Sequence, residues 1–249
     1  MSNKQNNSNI CLNYHAFSGS SRYDQVASKY TVNFDVFKKH LDFLQTKQHL
    51  ALSELLVQEI NNFSYSLTFD DGFRSHLYIA EELAKRELKG TFYIITNKTL
   101  TNSSYLNIRD LKELDSLGME IGSHTCSHRH VNRISNEEMI KELHDSKCFL
   151  EDVLSKPIFS ISYPGGHFSS REVKQAIKEG YITQRTCITG LNNLPITNHI
   201  IKCYNIKNFV TVNYLNQLIE LNSPLRILIK MREIGLIIPK YIDSKWKSV

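Results

Sequence analysis

The feature that most constrains this fold is a regular alternation of strand-like and helix-like segments. Short runs rich in β-branched and aromatic residues are separated by longer segments whose apolar residues recur every three to four positions. No block of consecutive strands interrupts this pattern. Such an alternation indicates parallel strands joined by crossover helices. Active sites in folds of this class lie beyond the carboxyl ends of the strands.

The strand and helix segments can be placed along the sequence. Strands are predicted at residues 10–15, 65–70, 91–95, 119–123, 159–163, 181–187 and 201–206. Helices are predicted at residues 33–47, 75–88, 108–117, 135–154, 169–178 and 212–221. Two helices begin with a capping box, the pairs being Ser135 with Glu138 and Ser169 with Glu172. The pattern alone does not decide between an open sheet and a closed barrel.

Length and composition fit a globular domain. The chain has 249 residues, of which 41% are hydrophobic and 22% charged, and α/β barrels often have about this length as one domain. No apolar run approaches the ~18 residues of a membrane-spanning helix. Residues 1–9 are polar and lack the apolar core of a secretory signal, so we expect a flexible N-terminal tail and a cytoplasmic location. Five cysteines without a CxxC pair fit reduced thiols.

The C-terminal extension, residues 224–249, carries most of the excess positive charge. Residues 225–249 hold six Lys or Arg against Glu233 and Asp243, which gives +4 of the net +5. One interpretation is a final segment that packs on the domain with a solvated basic face. The other is weak contact with a membrane surface or an anionic partner. No basic stripe with interleaved aromatic residues occurs, so nucleic acid is not an expected partner.

The segment 66–72, Ser-Leu-Thr-Phe-Asp-Asp-Gly, ends a strand in two acids and a glycine. Leu67 and Phe69 alternate with polar residues, which predicts a buried strand. Adjacent strand residues point to opposite faces, so Asp70 and Asp71 cannot share one function. One would hold a cation and the other would move a proton. A simple turn with solvated acids is the alternative.

Two histidines follow a later strand. His124 and His128 are four residues apart, and on a helical turn both would face the same side. Two imidazoles with one carboxylate, from Asp71 or Asp70, form a ligand set that suits a hydrolytic metal with open positions. His130 is an alternative ligand. The simpler interpretation is a polar loop with incidental histidines.

The order of these motifs resembles the polysaccharide deacetylase family, also called carbohydrate esterase family 4 or the NodB homology domain. The resemblance covers roughly residues 10–210. Its segments are Asn13-Tyr14-His15, Thr68-Phe69-Asp70-Asp71-Gly72, Gly90-Thr91-Phe92-Tyr93, Glu120 to His128, Tyr163-Pro164-Gly165-Gly166 and Glu179-Gly180-Tyr181.

The resemblance implies a distorted (β/α) barrel of about seven parallel strands, forming a single catalytic domain over residues 10–223. It also implies a divalent metal, usually zinc, held by Asp71, His124 and His128. Asp70 would be the general base, and the backbone N–H of Gly165 would stabilise the oxyanion. The implied reaction is metal-dependent removal of an N-acetyl group from an amino sugar in a glycan, a glycoconjugate or a small metabolite.

The sequence departs from the family at two places. Ser162 stands where the family often has an arginine that orients the base, and no histidine follows Cys203 to serve as the usual general acid. The candidates for this acid are His15, His167 and His199. We favour His15 because it ends the first strand; water or Asp70 itself could also return the proton. These losses leave two alternatives open, a non-catalytic sugar-binding member and an amidase acting on non-sugar amides.

Overall fold

A computed structural model describes residues 7–19, 28–57 and 62–220, together with residues 223, 225, 227, 228 and 231. Its strands are β1 (Ser8–Tyr14), β2 (Phe17–Ser18), β3 (Val32–Asn33), β4 (Gln48–His49), β5 (Ser64–Phe69), β6 (Gly90–Ile94), β7 (Glu120–Ser123), β8 (Ser160–Ser162), β9 (Thr183–Arg185), β10 (Asn192–Asn193), β11 (Ile200–Ile201) and β12 (Tyr204–Asn205). Its α-helices are α1 (Phe34–Leu44), α2 (His76–Ala84), α3 (Thr96–Thr101), α4 (Ile108–Ser116), α5 (Asn136–Leu154), α6 (Ser170–Lys178) and α7 (Val212–Ile219).

The main sheet is a nearly closed barrel of parallel strands. The strand order is β10-β1-β5-β6-β7-β8-β9-β11, and only β10 in that series runs antiparallel to its neighbour. The short strand β12 pairs with β1. The chain therefore passes within a few residues from β11, at one edge of the sheet, to β12, which pairs with β1 on the other side. The predicted distorted barrel of about seven parallel strands is confirmed.

The strand predicted at 201–206 is in fact two short strands. Between them, the backbone of Lys202 is held by the side chain of Asn192, with N–H to Oδ1 at 2.9 Å and Nδ2 to the carbonyl at 3.0 Å. This contact draws the chain away from β9 and toward β1. Alternating sequence patterns do not report such a change of pairing partner.

Alternation along β1 and β5 separates an apolar layer from a polar barrel interior. Ile10, Leu12 and Tyr14 join the apolar core between the sheet and the helices. The alternate residues of β1 point into the barrel. Among them, Asn9 donates to the hydroxyls of two serines of β5. Thr68 donates to Asn13 at 2.8 Å. Polar side chains therefore line the barrel interior along β1 and β5, up to Asp70 directly after the last residue of β5.

The helix boundaries follow the predicted caps. Asn33 accepts hydrogen bonds from the first backbone amides of α1, and the predicted capping boxes at the starts of α5 and α6 are both present. Gly90 is the first residue of β6. A Cβ at Gly90 would lie 2.7 Å from the ring of Phe69, so close packing requires the glycine.

The predicted flexible tail, residues 1–9, is wrong for Ser8 and Asn9, which are buried in β1. Within the described residues, the structure has no helix that is long and apolar enough to cross a membrane. The basic residues of the predicted C-terminal extension lie outside the described residues.

Candidate active site

Three predicted metal ligands meet at the carboxyl ends of the strands. Asp71 lies beyond β5, and His124 and His128 lie beyond β7. The Asp71 Oδ1 atom is 3.5 Å from Nε2 of His124 and 3.4 Å from Nε2 of His128. All three donor atoms lie within 4.8 Å of one another. Among the described residues this is the cluster suited to a metal, and it does not include His130.

Left-handed backbone turns create this geometry. Asp71 has a φ of +77° and Gly72 one of +74°, so the chain reverses as soon as β5 ends. Asp70 stays inside the barrel while Asp71 faces the two histidines. The histidines do not lie on a helical turn, so that part of the prediction is wrong. Instead, Thr125 at +65° and His128 at +63° form a loop that folds His128 back beside His124.

A backbone contact determines which ring nitrogen of His124 carries the proton when the imidazole is neutral. Its Nδ1–H donates to the carbonyl of Ser162 at 2.8 Å, which leaves Nε2 to face Asp71. Burial opposes the charged imidazole, but the carboxylates of Asp70 and Asp71 outweigh it and raise the pKa of His124. Burial and the neighbouring His124 lower the pKa of His128 to about 4, so this imidazole is neutral at physiological pH.

The donor set fits a divalent metal of the zinc type. One carboxylate and two imidazoles are ordinary zinc ligands and leave open positions. Bonds of about 2.1 Å in tetrahedral coordination separate ligand atoms by about 3.4 Å. The separations from Asp71 to the two histidines, 3.5 and 3.4 Å, match this value.

Asp70 lies buried beside the cluster. Its Oδ2 accepts from Nδ2 of Asn13 at 3.0 Å, and its Oδ1 accepts from the guanidinium of Arg185. Burial alone would raise the pKa of this carboxyl, but the charge of Arg185, then those of His124 and His15, hold it well below its usual range. Asp70 is therefore an ionised acceptor at neutral pH.

Arg185 is a site residue that sequence reasoning missed. It is fully buried on β9, opposite Ser162 on β8. Its Nη2 donates to both Asp70 and the Ser162 hydroxyl. The family often has its base-orienting arginine at the position of Ser162. Here, the arginine that contacts Asp70 comes from the next strand, β9. A single charged residue in the middle of a predicted strand was the signal that could have found it.

Glu142 of α5 is a second residue that the sequence did not identify. Its carboxylate accepts from the backbone amides of Cys126 at 2.8 Å and Ser127 at 2.9 Å. It also accepts from the Ser127 hydroxyl. These contacts fix the loop between the two predicted metal-ligating histidines to a long helix.

The histidines proposed as general acid occupy different places. His15 lies next to the base, with Nε2 3.6 Å from Oδ2 of Asp70, and its ring stacks on Tyr30. His199 contacts the carbonyl of Ile182 before β9 begins, so it lies at the opposite end of the strands and is excluded as the acid.

His167 stands near the glycine loop that follows β8. Its ring centroid is 4.5 Å from that of His130. Both rings adjoin Gly165, which has a φ of +63° and is exposed. A side chain at Gly165 would contact both imidazoles, so the glycine keeps this part of the rim open.

Comparisons with known proteins agree with this geometry. The family model described as polysaccharide deacetylase matches residues 59–183. The chain is 31% identical over 121 residues to a peptidoglycan-N-acetylglucosamine deacetylase of Bacillus cereus, covering 47% of this chain and 54% of that protein. It is 30% identical over 116 residues to YxkH of Bacillus subtilis strain 168, provisionally named a polysaccharide deacetylase, covering 46% and 41%. The chain thus spans about half the length of the curated relatives it matches.

Solved structures share the fold over most of the chain. The Streptococcus pyogenes deacetylase PplD, solved with acetate, superposes with a TM-score of 0.77 at 23% identity, covering 87% of this chain and all of that one. A polysaccharide deacetylase from Bacillus cereus gives a TM-score of 0.75 at 24% identity, covering 86% and 70%. At these identities the likeness establishes the fold.

Proposed function

The chain belongs to the polysaccharide deacetylase family, and we propose that it hydrolyses the acetamide group of an N-acetylated amino sugar. The products are acetate and a free amine. The observation that carries the proposal is the cluster of Asp71, His124 and His128 with the buried carboxylate of Asp70 beside it. This arrangement provides separate groups for a metal ion and for proton transfer.

Asp70 is the general base of the proposed reaction. A divalent ion held by the cluster would lower the pKa of a water molecule and polarise the acetyl carbonyl. Asp70 accepts the proton of the attacking water. Arg185 and Asn13 each hold one of its oxygens, so the carboxylate keeps its orientation and needs no rearrangement during the reaction.

The leaving nitrogen requires a proton, and we propose His15 as the general acid that provides it. Its imidazole lies 3.6 Å from Asp70, so a proton taken by the carboxylate can be relayed to the ring. We assign His15 as the general acid on this proximity and on its position directly after β1, at the same end of the barrel as Asp70.

Gly165 supplies the remaining function, stabilisation of the tetrahedral oxyanion. We assign this to its backbone N–H because the glycine lies beyond β8, the strand whose Ser162 contacts both His124 and Asp70. A left-handed glycine lets the substrate approach the backbone closely.

The test is acetate release from N-acetylated chito-oligosaccharides, peptidoglycan fragments and N-acetylglucosamine. The zinc-loaded enzyme should release acetate from at least one of them, and chelation should abolish the release until zinc is restored. Sugar binding without acetate release would contradict the proposal in favour of a non-catalytic member. Release only from cyclic imides or other non-sugar amides would contradict it in favour of an amidase.

A further inference from the structure

Two cysteines lie next to Arg185 and have no role in the proposed reaction. Cys187 follows β9, and Cys203 lies between β11 and β12. The register of β9 with β11 pairs Gln184 with Ile200 and Arg185 with Ile201, an offset of 16 residues. The same offset continued along the chain places Cys187 opposite Cys203.

Local contacts confirm that the two residues are neighbours. The backbone N–H of Cys203 donates to the carbonyl of Ile188 at 2.9 Å. The Cys203 thiol donates to the carbonyl of Thr186 at 3.0 Å, and both sulfurs contact the same guanidinium nitrogen of Arg185. Adjacent strands lie about 4.8 Å apart, which is within the Cα separation of about 4.4–6.8 Å that a disulfide requires.

Both sulfur atoms contact the arginine that holds the proposed base. Nη1 of Arg185 is 3.6 Å from the sulfur of Cys203 and 3.8 Å from that of Cys187. Nη2 of the same guanidinium donates to Asp70. A Cβ at Gly166 would overlap the Cys187 side chain, so the loop that carries Gly165 packs directly on this cysteine. A change at the two sulfurs would therefore reach the site from two directions.

Reagents can reach one member of the pair. Cys187 is partly exposed, whereas Cys203 is buried. Contact with Cys203 and the positive charge of Arg185 together outweigh burial and lower the pKa of Cys187. The thiolate is the nucleophilic form of cysteine, so Cys187 would react first and Cys203 second.

We infer that Cys187 and Cys203 form a modification site that a hydroperoxide converts to a reversible disulfide, and that the disulfide lowers the activity. The Cys187 thiolate attacks one peroxide oxygen, the O–O bond breaks, and a sulfenic acid forms. Cys203 then attacks this sulfur, the S–S bond forms and the sulfenic oxygen leaves as water. In total, two thiols lose two electrons and two protons, and hydrogen peroxide is reduced to two water molecules. The loss of activity rests on the proposed function, because it acts through Arg185 and Asp70.

The test treats the zinc-loaded enzyme with hydrogen peroxide and then maps disulfides by mass spectrometry. We expect a peptide linked through Cys187 and Cys203 in the wild type and in the control variant Cys148→Ser, which removes a cysteine of α5. Cys187→Ser and Cys203→Ser should not form it. Acetate release by the wild type should fall at least fivefold, return with dithiothreitol, and occur without loss of zinc.

Separate outcomes test the formation of the disulfide and its effect on acetate release. If no linked peptide forms, the modification site is wrong. If the peptide forms while acetate release stays constant, the connection through Arg185 is wrong. A preparation that never releases acetate would contradict the proposed function, and the mass measurement would still decide whether the disulfide exists.

Discussion

Asp70 and Asp71 are neighbours in the chain but have different surroundings. The carboxylate of Asp70 is enclosed by Arg185, Asn13 and His15. That of Asp71 faces His124 and His128. The left-handed backbone of Asp71 produces this division. It lets one strand end provide both the proposed metal ligand and the proposed base.

Arg185 should be required for catalysis through its hold on Asp70. We expect Arg185→Lys to lower kcat at least tenfold, because Nη2 bonds Asp70 and Ser162 while Nη1 contacts two cysteine sulfurs, and one ammonium group cannot fill both positions. KM and zinc content should change little. Acetate-release kinetics and metal analysis measure these quantities.

The matched control is Arg86→Lys, which alters an arginine bonded to two carboxylates away from the site. Its kcat should equal that of the wild type. A wild-type kcat in Arg185→Lys would show that the guanidinium does not position the base.

His40 should make the stability of the fold depend on pH. Its Nε2–H donates to the carbonyl of Val210 and its Nδ1 accepts from Tyr14, and burial lowers its pKa to about 4. The unfolded chain, with a pKa of about 6.5, binds the proton first as pH falls. The contribution of neutral His40 to the free energy of unfolding is therefore complete above the unfolded pKa of about 6.5, and it is lost as the pH falls toward 4. Between pH 7 and 5 the loss is about 2 kcal/mol.

Urea unfolding followed by circular dichroism at pH 7 and pH 5 tests this effect. His40→Gln should lose about 2 kcal/mol less than the wild type over this interval. His144→Gln, which changes a mostly exposed histidine, should behave as the wild type does. Equal losses in His40→Gln and the wild type would contradict the assignment.

The sequence predicts the residues that form the site better than the residues that hold them in position. Asp71, His124 and His128 follow strand ends, and the barrel brings strand ends together. The sequence could single out Arg185 as a charged residue inside a predicted strand, but its partners could not be assigned, because periodicity does not show which strand lies beside it. That information is in the register of β8 with β9.

At the scale of elements, α5 holds the loop of the proposed metal site through Glu142. Its carboxylate accepts from two consecutive backbone amides between His124 and His128. We expect Glu142→Gln to weaken zinc binding about 10- to 100-fold, because groups that hold ligand segments affect metal affinity to this extent. Competition with a fluorescent chelator measures the affinity.

Glu137→Gln is the control, since Glu137 is an exposed residue of the same helix. It should bind zinc as the wild type does. Unchanged affinity in Glu142→Gln would show that the loop keeps its shape without this contact.

Helix starts were predicted well because their signals are local. The pairs Ser135 with Glu138 and Ser169 with Glu172 form capping boxes whose members are three residues apart. The loop after β7 was predicted as a helical turn. Its shape depends on Glu142, more than a dozen residues away in the sequence, so the local pattern could not reveal it.

At the scale of the whole molecule, residues 200–205 bring the two sides of the barrel together. β11 pairs with β9, and β12 pairs with β1. This places Asn205 against Asn13, whose amide also donates to Asp70. The closure of the barrel and the orientation of the base therefore depend on the same residues. Alternation could indicate parallel strands, but closure required contacts between distant segments.

The C-terminal extension, residues 224–249, gives a prediction for the intact chain. We expect it to bind vesicles that contain anionic lipid at low salt and to release them in high salt, because the Debye length shortens. Reversing Lys240, Lys245 and Lys247 to Glu should weaken binding by at least about 100-fold, because the loss of each lysine alone costs about 1 kcal/mol. Co-sedimentation measures the binding.

The control reverses three exposed lysines of the domain, Lys112, Lys174 and Lys178. This variant has the same net charge as the tail variant and should retain binding. Equal loss in both variants would show that total charge, and not the extension, is responsible.

The division of function between the two aspartates is tested most directly by measuring zinc content and acetate release in Asp70→Asn and Asp71→Asn. Asp70→Asn should bind zinc as the wild type does and release acetate about 10²- to 10⁴-fold more slowly. Asp71→Asn should lose zinc and activity together. Wild-type acetate release by Asp70→Asn, or loss of its zinc, would contradict the assignment of Asp70 as base and Asp71 as metal ligand.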